Sequence, residues 1–106
     1  MNVRFSERAI RCRATSVELQ QLLTGRALAL EICLPRDRRF RVNVRPAVLE
    51  TWQLDSDPTG IWVTIPRSQL EELAQTLPSR EGIEHSFETA QGSVVVKFEV
   101  DVKKSG

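Results

Sequence analysis

The chain has 106 residues, of which 41% are apolar and 27% charged, and its formal net charge is +1. That length suits one domain with a single core, and that composition excludes wholesale disorder. A near-neutral total gives no reason to expect a general polyanion binder. The distribution of charge is uneven. Up to Val48 there are ten arginines against four acids, whereas from Leu49 onward there are five bases against ten acids. Opposed halves favour internal or intermolecular charge pairing, and arginine is the residue suited to holding carboxylate or phosphate in a fixed geometry.

In chain order, Asn2–Phe5 and Ala9–Ala14 alternate apolar and basic residues and read as two short strands. Ser6-Glu7-Arg8 between them is either a tight turn or a bulge in one bent strand. Thr15-Ser-Val-Glu18 is a capping box that opens a helix, and Gly25 is a good left-handed stop. Ala27–Leu34, with Leu28, Leu30, Ile32 and Leu34 inward, and Arg39–Arg45, with Phe40, Val42 and Val44 inward, read as an antiparallel hairpin. The turn between them is Pro35–Arg38, and Pro46 is expected to end the second strand.

Val48–Leu54 is a weaker strand, followed by the turn chemistry of Asp55–Gly60. Ile61–Ile65 returns with Ile61, Val63 and Ile65 inward and Trp62 and Thr64 outward. Pro66 leads to a second helix, with Ser68-Gln-Leu-Glu71 as a further capping box and Leu70, Leu73, Ala74 and Leu77 on one face. Pro78 closes that helix, and residues 79–82 form a loop. Ile83–Thr89 and Ser93–Lys103 are the last two strands, joined by Ala90-Gln-Gly92. The final strand puts Val94, Val96, Phe98, Val100 and Val102 on one face and Lys97, Glu99, Asp101 and Lys103 on the other.

The order β-β-α-β-β-β-β-α-β-β predicts an α+β fold: a curved, mainly antiparallel sheet or open barrel of about seven to eight strands with two short helices. Residues 1–106 form a single domain, with 103–106 a frayed tail. A short helix heading each half hints at a pseudo-duplicated layout. Two cysteines outside any CxxC spacing and the single His85 argue against a Cys/His zinc site. Both thiols are expected to be buried in a reducing cytoplasm. Neither a secretory leader nor a membrane span is expected.

The outward strand faces are the candidate sites. Arg11, Arg13, Arg39, Arg41, Glu88 and Lys97 could clamp a phosphorylated ligand if those faces converge, and Glu99 and Asp101 could hold Mg²⁺, which prefers oxygen donors. The same pattern also describes a solvated sheet face with cross-strand ion pairs. Trp62, outward on its strand, is a candidate anchor for a protein partner. Trp52 and Trp62 flank the main turn and are expected to lie close. His85 shares the core-facing parity of Ile83 and Phe87.

The stretch Val3-Arg-Phe-Ser-Glu-Arg-Ala-Ile-Arg-Cys-Arg-Ala-Thr-Ser-Val-Glu-Leu19, with the Val63–Pro66 strand end and the helix after it, resembles a family of small uncharacterised bacterial proteins. They open with a basic strand pair and a Thr-capped helix. The resemblance implies a cytoplasmic bacterial domain and carries no activity. More distantly, the chain is similar to the triphosphate tunnel (adenylate cyclase/thiamine triphosphatase-like) fold, in which charged strand faces line a closed antiparallel barrel. Those enzymes carry Glu-x-Glu-x-Lys on the first strand. Here Arg4 stands on the first strand, and the nearest match is Glu99-Val-Asp-Val-Lys103 on the last. This resemblance implies Glu99, Asp101 and Lys103 as metal and phosphate ligands.

The leading expectation is a non-enzymatic domain acting through protein contacts or self-association, without a cofactor. The alternative is a Mg²⁺-dependent phosphohydrolase or phosphate-ligand binder. Weak nucleic-acid binding through the Arg36–Arg45 hairpin ranks third, and no membrane partner is expected.

Overall fold

The computed structural model describes residues 1–77 and 81–101. The expected helix stop at Pro78, the frayed tail and the Lys103 phosphate ligand lie outside the described residues. The strands are β1 (Asn2–Ser6), β2 (Ala9–Ala14), β3 (Leu28–Leu34), β4 (Arg38–Ala47), β5 (Gln53–Asp57), β6 (Gly60–Pro66), β7 (Ile83–Thr89) and β8 (Gly92–Val100). The helices are α1 (Ser16–Leu23), between β2 and β3, and α2 (Arg67–Gln75), between β6 and β7. The fold is the expected α+β arrangement, in the expected order of elements.

Among the described residues the strands form two open four-stranded sheets and no closed barrel. Sheet A has the order β1-β2-β8-β7 and sheet B the order β3-β4-β6-β5. Each sheet is two antiparallel hairpins joined through a parallel central pair, β2 with β8 and β4 with β6. The chain is thus a ββαββ unit written twice. Residues 2–47 form the first unit and 53–100 the second. Each sheet takes the first hairpin of one unit and the last hairpin of the other. The registers agree with this. The pairs Arg4↔Arg11 and Arg13↔Glu99 in sheet A match Asp55↔Trp62 and Thr64↔Arg45 in sheet B. The helix N-caps Thr15 and Pro66 are equivalent.

One hydrophobic core joins the two units. Cys12, Ala14, Val96 and Phe98 come from sheet A, Val44, Val63 and Ile65 from sheet B, and Leu19, Leu22, Leu70 and Leu73 from the helices. Leu19 and Leu22 are the unit equivalents of Leu70 and Leu73. These positions follow the alternation of the strands and the 3.6-residue period of the helices, the two signals that put apolar residues on one face. Among the described residues, the strand faces packed on the core are apolar and the charged faces lie outside it.

Helix α1 begins as its sequence demands. The Glu18 amide donates to Thr15 Oγ1 at 3.1 Å and the Thr15 amide to Glu18 Oε1 at 2.9 Å, a reciprocal capping box. It ends on Gly25 at φ 95°, where the Arg26 amide reaches back to the Gln21 carbonyl at 2.9 Å and the Gly25 amide to Leu22 at 2.9 Å. That pairing is a Schellman stop, which only a residue tolerant of positive φ completes cheaply.

Several expectations are corrected. Helix α2 starts at Arg67, with Pro66 as N-cap and no side-chain cap, so Ser68 and Glu71 form no capping box. Strand β6 runs through Pro66 straight into the helix, which leaves Ser68 already inside the first turn. Strand β4 passes through Pro46 to Ala47, because β3 stops pairing at Val44 and that edge needs no amide donor. Residues 48–52 are not strand; β5 starts at Gln53 and extends to Asp57, and the turn narrows to Pro58-Thr59. Cys33 is exposed, not buried, because it stands on the outward face of the edge strand β3. Trp52 and Trp62 do not come together. Trp52 is in the core at 3% exposure, while Trp62 lies on the face opposite the core residue Val63.

Candidate functional site

The candidate arginines fall on two separate outer faces. On sheet A, Arg11 and Arg13 of β2 stand directly opposite Lys97 and Glu99 of β8. Glu99 is 6% exposed and receives Arg11 at 2.8 Å, Lys97 at 3.3 Å and Arg13 at 3.4 Å. Burial by itself would raise its pKa. Hydrogen bonds from Arg11 and Lys97, the Arg11 charge and a further bond from Arg13 outweigh it, and the carboxyl stays below its ordinary value. Asp101 lies past the end of β8 and is exposed. Its amide donates to the Ala14 carbonyl at 2.7 Å, which ties the strand end to β2.

This geometry does not fit the Mg²⁺ site that the sequence suggested. Glu99 spends both oxygens on cations, and no group of three His, Cys, Asp or Glu gathers among the described residues. Glu88 is also apart from the cluster. It sits near the β7–β8 turn and accepts from Ser93 Oγ at 2.8 Å.

On sheet B, Arg39 and Arg41 of β4 share Glu31 of β3. Arg39 Nη1 is 3.3 Å from Oε1, and Arg41 Nε donates to Oε2. Beside them, Trp62 of β6 is half-buried. Arg38, Arg39, Arg41 and Trp62 line one open groove of about 610 Å³ together with Asp37, Pro58 and Thr59 of the two hairpin turns. Gly60 makes this close approach possible. A Cβ there would overlap the Arg41 carbonyl oxygen, so only glycine lets β6 start against β4 at this point. The Arg41 amide closes the corner on the Thr59 carbonyl at 2.9 Å. Arg36 and Asp37, in the adjoining turn, hold φ of 67° and 56°.

The outer face of sheet B also departs from simple alternation. Thr64 points outward yet is 2% exposed, and Arg45 Nε donates to its Oγ1 at 3.0 Å. The arginine side chain lies over the threonine. Sequence parity places Thr64 outward but cannot show what covers it.

His85 belongs to an aromatic stack. Its ring lies parallel to Trp52 at 6.0 Å and meets the edge of Phe87 at 4.9 Å. Trp52 Nε1 donates to Gln69 Oε1 at 2.8 Å, which links this stack to α2. Burial pushes the Cys12 thiol up to about 11, which makes it a poor nucleophile.

The structure therefore unites Arg39, Arg41 and Trp62, which the sequence treated as separate candidates, and adds Arg38. It separates them from Arg11, Arg13 and Lys97. The missing signal was the sheet assignment. Parity shows that these side chains face outward but not that β2 pairs with β8 across most of the chain. No helix among the described residues is long and apolar enough to cross a membrane. Compared with known proteins, the chain matches no family model, no curated protein and no solved structure.

Proposed function

We propose that the protein is a non-enzymatic binding domain that acts through protein contacts, with the outer face of sheet B as its contact surface. The observation that carries this reading is the groove in which Trp62 stands among Arg38, Arg39 and Arg41. Tryptophan and arginine are the residues most enriched where a protein interface concentrates its energy. The indole offers a broad apolar face, and the guanidiniums offer planar donors to carboxylates. Against these three arginines the groove holds Asp37 and the neighbouring Glu31, so the surface favours a partner segment that carries acids beside an apolar side chain. Unlinked thiols at Cys12 and Cys33 support a reducing compartment such as the cytoplasm.

The test is fluorescence anisotropy with a labelled acidic peptide in which Glu and Asp alternate with Leu. Trp62→Ala and Arg39→Ala should each weaken binding by about tenfold or more, the loss expected of an interface anchor. Oligo-dT in a parallel titration separates the nucleic-acid alternative. Tighter binding of oligo-dT than of the peptide, or unchanged peptide binding by both variants, contradicts the reading. Light scattering on the unliganded protein asks whether the partner is a second copy.

A further inference from the structure

Sheet A presents a second, chemically different outer face. Two adjoining rows of residues cross it. One runs Arg4, Arg11, Lys97, Glu84, each directly opposite the next, and the other runs Asn2, Arg13, Glu99. Four cations therefore share this face with two carboxylates, Glu99 and Glu84. Arg11, Arg13 and Lys97 all contact Glu99, and Arg4 makes no ion pair among the described residues. Like charges directly opposite one another destabilise a sheet.

The scaffold does not require this arrangement. In the second ββαββ unit, the positions equivalent to Arg4, Arg11 and Arg13 hold Asp55, Trp62 and Thr64, and Asn43 stands where sheet A has Lys97. Arg45 stands where sheet A has Glu99, so the same strand pairings are built on sheet B with one cation in place of four. Something other than the fold accounts for the surplus of positive charge on sheet A.

Asn2, Arg4, Arg11, Arg13 and Glu99 line a single narrow depression of about 10 Å³, room for one water, so a larger anion can sit only at its mouth. Glu99 engages one terminal nitrogen of Arg11 and one of Arg13. Each guanidinium carries five N–H donors, so most remain available. We infer that this depression is an oxyanion site for a phosphate group, with Arg4, Arg11 and Arg13 as its charged donors and the Asn2 amide beside them. Arginine matches phosphate geometry through paired, charge-assisted hydrogen bonds. Arg11 and Arg13 are each 47% exposed, so the phosphate rests at the mouth of the depression, partly in water. Its affinity is modest and falls as salt screens the charges. This site lies on the sheet opposite the Trp62 groove and stands or falls separately from it.

The test is calorimetric titration of the full chain with inorganic phosphate, against sodium chloride at matched ionic strength. Phosphate should bind measurably while chloride does not. Arg4→Ala should weaken it by about tenfold, the loss of one charged hydrogen-bonding partner. Arg26→Ala, in the exposed loop after α1, should change nothing. A phosphoserine peptide run beside inorganic phosphate separates a protein-borne phosphate, bound more tightly, from a free one, bound as well or better. Equal responses to phosphate and chloride, unchanged binding by a folded Arg4→Ala, or an equal loss in Arg26→Ala overturns the site.

Discussion

Glu99 keeps a full charge while almost excluded from water, and it does so because three cations reach it. The stability this carboxylate contributes is present above its unfolded pKa, close to the ordinary 4.5, and is lost as pH falls through the lower folded value. Glu99→Gln should therefore flatten the acid limb of stability below about pH 4.5 and cost about 1–3 kcal/mol near neutrality, both read by urea denaturation at several pH values. An acid limb as steep as that of the parent protein would remove Glu99 from the account. The cysteines give a second prediction at this scale. Thiol-reactive dye should label the exposed Cys33 in the native protein and Cys12 only after denaturation. Much of this was legible in sequence. Parity alone put Arg11, Arg13, Lys97 and Glu99 on outward faces. What it could not supply was depth. Glu99 and Asp101 have the same parity, yet one is sealed by its neighbours and the other projects beyond the strand end.

At the level of elements, the two helices show why one cap was legible and the other was not. Thr15 follows a strand that ends at Ala14, so its hydroxyl is free to turn onto Glu18. Before α2, strand β6 persists through Pro66, and the chain enters the helix without a capping side chain. Thr15→Ala should cost about 1 kcal/mol, the usual value of a helix N-cap. Ser68→Ala should cost little, because Ser68 caps nothing. A chemical denaturation midpoint for each variant checks the contrast. Strand ends were misjudged for a related reason. Proline stops a strand only where its missing amide would have been used, and at Pro46 the neighbouring strand has already ended. Gly60→Ala should be more damaging than either cap variant. Its Cβ would meet the Arg41 backbone, so the loss should appear both in stability and in the geometry of the Trp62 groove.

Across the molecule, the duplicated ββαββ layout separates what the fold needs from what it carries. Inner positions keep their chemistry between the units. Leu19 and Leu22 match Leu70 and Leu73, and all four are 2% exposed or less. Leu22→Ala and Leu73→Ala should therefore destabilise to a similar extent, each by about 2–5 kcal/mol. A large disparity would mean that the two units do not share the core equally. Outer positions diverge, giving Arg11 on one sheet and Trp62 at its equivalent on the other. The sequence hinted at duplication through its helix spacing. It hid the interlocking of the units, because the parallel pairs β2–β8 and β4–β6 join strands that no local pattern relates. The same interlocking leaves the β3–β4 end of sheet B projecting past the core, with Ile32 and Leu34 47% and 45% exposed despite their inward parity.

The central claim is that the Trp62 face of sheet B is the protein-contact surface. Amide and indole NMR shifts measured while the acidic peptide is added test it most directly. The account predicts shifts confined to Arg38–Arg41, Thr59–Trp62 and the Trp62 indole, with the buried Trp52 indole unmoved. Shifts centred on Arg4, Arg11 and Arg13, or no shifts at peptide excess, would contradict it.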